Sequence, residues 1–135
     1  HIALRFDWED VNAQEIVAVL GFNSDGMLDG EGHWEAVAFC LQSTAVILTV
    51  EPDTDQMIVS HEEIPSGHGW KPIPTFDFAK SQKLGWCWVG INYLGYKDIF
   101  MLDVYLDGHC SLHPRYMFLA EGSSLSCFDL KQQLS

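Results

Sequence analysis

The residue types best suited to chemistry lie in one short segment, His109-Cys110-Ser111-Leu112-His113. Two imidazoles four residues apart beside a thiol are ligands that zinc or copper favours. A structural zinc site needs four ligands, and no second Cys or His pair at metal-binding spacing lies nearby, although His61 and His68 from the long loop could complete the set. An exposed polar turn explains the same residues without a metal. The sequence therefore predicts no metal or other cofactor, and the residues to examine for one are His109, Cys110 and His113.

Motifs for nucleophilic catalysis or phosphate binding are missing from the sequence, which contains no G-x-S-x-G and no G-x-x-x-x-G-K. Cys110 follows His109 directly, but adjacent side chains usually point apart and rarely form a catalytic pair. The pattern favours a binding protein over an enzyme. A metal-dependent enzyme centred on the His109 to His113 segment stays open as an alternative.

The strongest bias in the composition is negative charge. Seven basic residues stand against nineteen acidic ones, for a net charge of −12. Such a field repels nucleic acid and attracts a basic protein surface. We therefore predict an accessory or inhibitor-like protein that docks a basic partner through an acidic face. The residues predicted to form that face are Asp25, Asp29, Glu31, Asp53, Asp55, Glu62 and Glu63.

Aromatic residues suggest an alternative binding function. Tryptophan and tyrosine are common in apolar pockets, and the same residues could equally belong to the core and to a subunit interface, which the composition favours. If they line a pocket, the protein binds a small apolar ligand instead of a basic protein. The residues proposed to line this pocket are Trp70, Trp86, Trp88, Tyr93, Tyr96, Tyr105 and Tyr116.

The element expected to position many of these side chains is a long hairpin between Leu84 and Gly108. Side chains alternate along a strand, so Trp86 and Trp88 share one face while Cys87 and Val89 share the other. Both faces are apolar, which predicts a position inside a sheet. It also predicts a cover on the second face, supplied by a helix or by another copy of the chain, and hence a homo-oligomer.

The remaining segments predict a fold of the α+β class, mainly an antiparallel sheet, in a single domain spanning residues 1–135. The sheet would be a roll or small barrel of about seven strands with one or two short helices. The elements outside the hairpin are predicted as strands Glu15–Phe22, Trp34–Leu41, Ala45–Val50, Met57–His61 and Arg115–Ala120, a helix Thr75–Leu84, and a strand or terminal helix Leu125–Leu130.

Cysteine usage and hydropathy bear on location. The four cysteines are dispersed, without a C-x-x-C, and three lie in apolar runs. This usage favours a reduced, cytoplasmic protein, although an even count leaves disulfides open. Because no apolar run approaches the roughly 18 residues of a membrane span, we expect no membrane association.

Three turn and strand motifs carry a family resemblance. They are Pro52-Asp53-Thr54-Asp55, Gly85-Trp86-x-Trp88 and Asn92-x-x-Gly95-Tyr96-x-Asp98. In these motifs the chain resembles a group of small, acidic, uncharacterised bacterial proteins, and it is similar to proteins carried on mobile, integron-type gene cassettes. The resemblance covers roughly the middle half of the chain. It supports the predicted fold and implies no activity and no catalytic residue.

Overall fold

A computed structural model of the chain describes residues 4–24, 33–73, 82–106, 108–110 and 112–130, and leaves the side chains of Leu106 and Cys110 undescribed. Apart from a 3₁₀ turn at Trp8–Asp10, the regular structure in these ranges is extended. The strands are β1 (Glu15–Ile16), β2 (Ala18–Phe22), β3 (His33–Trp34), β4 (Ala36–Cys40), β5 (Thr44–Val50), β6 (Met57–Glu63), β7 (Trp70–Pro72), β8 (Gln82–Gly90), β9 (Ile99–Leu106), β10 (His109–Cys110), β11 (Tyr116–Glu121) and β12 (Ser124–Asp129).

The strands form two antiparallel sheets. One sheet has seven strands in the order β1-β8-β9-β11-β12-β3, with β10 added beside β9. The other has five strands in the order β6-β5-β4-β2-β7. Five of the ten neighbouring pairs among the described strands are consecutive in the chain, as is common in antiparallel sheets, and the other five bring together strands that are not consecutive. Just before the 3₁₀ turn, Leu4 forms an isolated parallel bridge with Val59, which brings the amino-terminal segment beside β6.

The two sheets are joined at two corners where the chain passes from one to the other. At Val17 it leaves β1 and enters β2, and at Glu35 it leaves β3 and enters β4. The amide of Val17 donates to the Cys40 carbonyl at 2.8 Å, and the amide of Glu35 donates to the Phe22 carbonyl at 2.9 Å. These bonds satisfy the backbone amides at both corners, where the two sheets of the half-barrel meet.

A shared core lies between the sheets. Phe39 of the five-stranded sheet meets Phe118 of the seven-stranded sheet edge to face, with ring centroids 5.5 Å apart. Both side chains are fully buried, as are Leu48 and Leu102 from the two sheets. Burying a side chain of this size stabilises the fold by about 1.5–3 kcal/mol. The core therefore holds the strands that carry the exposed loops.

The predicted α+β class and the predicted number of about seven strands are wrong. The described residues contain no α-helix running for even one turn, and the strands divide into sheets of seven and five. Two predicted strands, residues 15–22 and 34–41, are each interrupted by a corner at Val17 or Glu35. Apolar periodicity continues across a corner, so the change of sheet left no mark in the pattern. The short strands β7 and β10 were not predicted either, because each is only two or three residues long.

The predicted helix Thr75–Leu84 falls mostly on residues 74–81, which lie outside the described residues. Its last three residues, Gln82–Leu84, belong to β8, where Lys83 pairs with Glu15. The carboxy-terminal segment, left open between strand and helix, forms strand β12 through Asp129. Pairing with neighbouring strands thus overrides local helix propensity at Gln82–Leu84.

The central hairpin is confirmed as an antiparallel pair, β8 with β9. Strand β9 lies inside the sheet between β8 and β11. Strand β8 pairs with β1 only at Gln82 and Lys83, so among the described strands Trp86–Gly90 has a ladder partner on the β9 side alone. The predicted position inside the sheet is therefore right for β9 and wrong for this part of β8. No helix in the described ranges has the length and apolarity needed to cross a membrane.

Candidate functional site

Four exposed apolar side chains, including the three most exposed of the described structure, cluster in the loop between β8 and β9, residues 91–98, which we call the aromatic loop. Tyr93 is 96% exposed, Leu94 65%, Ile91 59% and Tyr96 43%. A folded chain gains nothing for its own stability from side chains held in water in this way. Contiguous exposed apolar groups of this kind are typical of interaction surfaces.

The backbone of the aromatic loop is fixed by Asn92. Its side-chain oxygen accepts hydrogen bonds from the amides of Leu94, at 2.8 Å, and Tyr96, at 3.2 Å. Its side-chain amide donates to Asp98 at 3.1 Å, and its backbone amide donates to the Tyr96 carbonyl at 2.9 Å. Gly95 has φ +93°, a conformation that favours glycine. The loop is therefore ordered by its own polar groups while its apolar side chains face solvent.

A second loop, residues 51–56 between β5 and β6, lies against the aromatic loop, and we call it the acidic turn. Its Asp53 and Asp55 side chains are exposed. The side-chain oxygen of Gln56 accepts from the amide of Lys97 at 3.0 Å, and the amide of Met57 donates to the Lys97 carbonyl at 2.8 Å. These two bonds bring carboxylates and exposed aromatic side chains to the same end of the molecule.

The outer face of the seven-stranded sheet continues the apolar character of this surface. Because Phe100, Leu102, Tyr116 and Phe118 point into the core, the residues between them point outward. Trp88 lies opposite Met101, Met101 opposite Met117, and Met117 opposite Phe128. These four half-buried side chains cross four strands, and we call them the outer row.

The seven aromatic residues proposed to line a pocket do not surround one cavity. Tyr116 is buried in the core, and Trp70 lies in β7 of the other sheet, with its ring 5.2 Å from that of Phe22. Tyr105 is half-buried on β9. The four that the structure brings to one hairpin are Trp86, Trp88, Tyr93 and Tyr96.

The seven acidic residues proposed for one face are also divided. Asp25, Asp29 and Glu31 lie outside the described residues. Asp53 and Asp55 belong to the acidic turn, whereas Glu62 and Glu63 lie at the far end of β6, where Glu63 pairs with Thr44. The seven-residue strand β6 separates the two described groups by about 20 Å, at roughly 3.3 Å per residue.

The metal candidates have exposed side chains at His109, in β10, and at His113. The side chain of Cys110 lies outside the described part of the chain. In the described ranges no three His, Cys, Asp or Glu side chains are grouped closely enough to hold a metal ion. Among the described cysteines, Cys40, Cys87 and Cys127 are free thiols, and burial raises the pKa of Cys87 to about 11 and that of Cys127 to about 12. Both of these thiols are protonated at neutral pH and are poor nucleophiles.

One polar cluster escaped the sequence analysis. The Ser126 hydroxyl oxygen lies 3.1 Å from Nδ1 of His33 and donates a hydrogen bond to the Glu121 carboxylate. In a catalytic triad the acid orients the histidine, whereas here the carboxylate contacts the serine, which is only 4% exposed. The contact ties β12 to β3. Because 93 residues separate Ser126 from His33, no local motif could have revealed it.

The geometry defines a class of protein: a half-barrel of two antiparallel sheets that displays an ordered aromatic loop beside an acidic turn. The chain belongs to DUF6334, a family of unknown function, whose family model matches residues 2–133. This match confirms the prediction of an uncharacterised family. A search of curated proteins found no match to the chain. A search of solved structures found none either.

Proposed function

We propose that this chain is a protein-binding module whose contact surface consists of the aromatic loop and the acidic turn. The observation that carries the proposal is the 96% exposure of Tyr93 on a loop whose backbone is fixed by Asn92. If the loop were flexible, binding would have to order both its backbone and its side chains. Here hydrogen bonds already order the backbone, so less conformational entropy is lost on binding.

The chemistry of the surface indicates the kind of partner. Aromatic side chains commonly supply most of the binding energy at an interface, within a polar rim that excludes water. Tyr93 and Leu94 are suited to the centre of such an interface, and Asp53 and Asp55 to its rim. The partner that complements this surface has an apolar centre and a basic border. A net charge of −12 would also accelerate its approach at low salt.

The proposal retains the basic partner predicted from composition and moves the main contact from a broad acidic face to the aromatic loop. A carrier of a small apolar ligand is less well supported, because the aromatic residues proposed for it are spread over the core and both sheets. An enzyme centred on His109, Cys110 and His113 has no observation that favours it.

Three further features belong to the same proposal. A cytoplasmic location fits the free thiols of the described cysteines. A homo-oligomer would cover the outer row, whose four apolar side chains lie on the face opposite the core. An origin on mobile gene cassettes, suggested by the family resemblance, is compatible with an accessory role. None of the three is needed for the aromatic loop to bind a partner.

Site-specific photo-cross-linking tests the proposal. A photoreactive phenylalanine at position 93 should capture one protein reproducibly from an extract of the source organism. The matched control carries the same group at Leu112, an exposed apolar residue, 53% exposed, on a different loop. We expect a cross-linked product at position 93 that disappears in the Leu94→Ser background. The same product from both positions, or one indifferent to Leu94→Ser, would overturn the proposal.

A further inference from the structure

A groove runs between the 3₁₀ turn and the exposed part of β8. It encloses about 290 Å³, is open to solvent, and is lined by Trp8, Glu9, Asn12, Trp86 and Cys87. It lies outside the aromatic loop, because Ile91, where that loop begins, follows Trp86 by five positions. At about 3.3 Å per residue the separation along the strand is roughly 17 Å.

Both indole walls of the groove are held in place by the fold. The Nε1 of Trp8 donates to the Gly85 carbonyl at 2.8 Å, and the Trp8 ring lies 5.9 Å from Phe6 and 6.0 Å from Phe100. Trp86 lies in a β-bulge of β8. Leu84 pairs with Val104 and Cys87 with Leu102, so β8 has one more residue than β9 between these two pairs. Such a bulge redirects a side chain, and Trp86 remains 51% exposed.

The groove also has a defined charge. Glu9 is the one acidic or basic residue among its five lining residues. The side chain of Asp7 accepts a hydrogen bond from the Glu9 amide at 3.0 Å and so fixes the start of the turn. Burial raises the pKa of Cys87 to about 11, so at neutral pH its thiol adds no charge. Among the side chains that line the groove, an incoming group therefore meets two indoles and a single carboxylate.

We propose that this groove binds an arginine side chain of the protein partner. A guanidinium is planar, so it stacks on indole and pairs with a carboxylate at the same time, whereas a lysine ammonium does less of both. The inference rests on the proposed function, since the partner supplies the arginine. It adds a second contact about 17 Å along β8 from Ile91, where the aromatic loop begins, at roughly 3.3 Å per residue. It predicts that the partner carries an arginine at about that distance from the group that contacts Ile91.

The groove can be tested without the partner by using N-acetyl-arginine amide as the probe. The titration is followed by the indole NMR signals of the protein. The Trp86 signal should shift as the probe is added, and the shift should reach saturation. The neutral isostere N-acetyl-citrulline amide should bind at least about fivefold more weakly, because it has the shape of arginine without its charge. Equal binding of the two compounds, or shifts that do not involve Trp86, would overturn the inference.

Two variants sharpen this test. Glu9→Gln should weaken probe binding about fivefold. Trp86→Leu has no Trp86 signal, so it is read at the Trp8 indole, which also lines the groove, and it should abolish any saturable shift there. The matched control is Asp10→Asn, which removes the same charge from the same turn but does not line the groove. An equal loss of probe binding in Asp10→Asn would show that the overall negative charge attracts the probe. That result would contradict binding at a defined groove. Leu94→Ser should leave probe binding unchanged. The proposals for the groove and for the aromatic loop can therefore be refuted independently.

Discussion

The side-chain oxygen of Gln56 accepts a hydrogen bond from the backbone amide of Lys97 across 41 residues of sequence, at 3.0 Å. Together with the bond from the Met57 amide to the Lys97 carbonyl, it connects the acidic turn to the base of the aromatic loop. One loop supplies carboxylates and the other apolar side chains. The contact between Gln56 and Lys97 is therefore what makes one composite surface of two separate loops.

Removing that contact should loosen the composite surface. We expect Gln56→Ala to lower the free energy of unfolding by about 1 kcal/mol, because a half-buried amide loses its acceptor. Urea denaturation measures the loss, and hydrogen exchange should show faster exchange at Lys97. Gln42→Ala, in the exposed turn between β4 and β5, is the control and should change neither quantity. Unaltered exchange at Lys97 in Gln56→Ala would contradict the structural role of the bond.

The buried Trp34 ring, next to the corner at Glu35, lies where a side chain at Gly21 would be. A Cβ atom placed there would lie 2.3 Å from Cε3 of the buried Trp34 ring. We expect Gly21→Ala to destabilise the protein by about 1–3 kcal/mol through overpacking, measured by thermal or urea denaturation. The double variant Gly21→Ala/Trp34→Leu, compared with Trp34→Leu alone, is the control. If Gly21→Ala lowers the free energy of unfolding as much in the Trp34→Leu background as in the wild type, the clash with the indole is not the cause.

The stability of the fold should fall at alkaline pH because of Cys127. Its pKa in the folded protein is about 12, raised by burial, against roughly 8.5 in an unfolded chain. Between these values the unfolded state releases a proton that the folded state retains, so the free energy of unfolding decreases as pH rises. We expect the decrease between pH 8 and pH 11 to be smaller in Cys127→Ala. Titration of lysines and tyrosines affects both proteins alike, so parallel curves would contradict the assignment to Cys127.

The acidic turn should affect association more than dissociation. Asp53→Asn/Asp55→Asn should slow the association rate of the cross-linked partner and reduce its dependence on salt, with little change in dissociation. Glu62→Gln/Glu63→Gln removes the same charge from the opposite end of β6 and is the matched control. Stopped-flow measurements at several salt concentrations distinguish them. An equal effect of both pairs would show that net charge alone steers the encounter.

Some parts of this architecture could be predicted from the sequence because they depend on local patterns. Alternation and turn residues predicted the β8–β9 hairpin and the strands around Val46 and Val59, which the structure confirms. The division into two sheets was not predictable in this way, because Val17 and Glu35 interrupt the strands without interrupting the apolar pattern. The predicted number of strands was wrong for this reason and because β7 and β10 are only two or three residues long.

The candidate site was only partly predictable for a different reason. Trp86, Trp88, Tyr93 and Tyr96 were singled out by residue type, but their separation from Tyr116 and Trp70 depends on which face of which sheet each side chain occupies. The contact of Gln56 with Lys97 and the groove between Trp8 and Trp86 join residues 41 and 78 positions apart. Such contacts follow from tertiary packing, and no local spacing encodes them.

The central claim is that the aromatic loop is the main contact with a protein partner. The most direct test measures the dissociation constant of the cross-linked partner for Tyr93→Ala and, as a control at an exposed apolar residue elsewhere, for Leu112→Ala. We predict that Tyr93→Ala weakens binding by about 2 kcal/mol, roughly thirtyfold, while Leu112→Ala changes it less than about twofold. A Tyr93→Ala protein that binds within about twofold of the wild type, with its fold intact, would contradict the account.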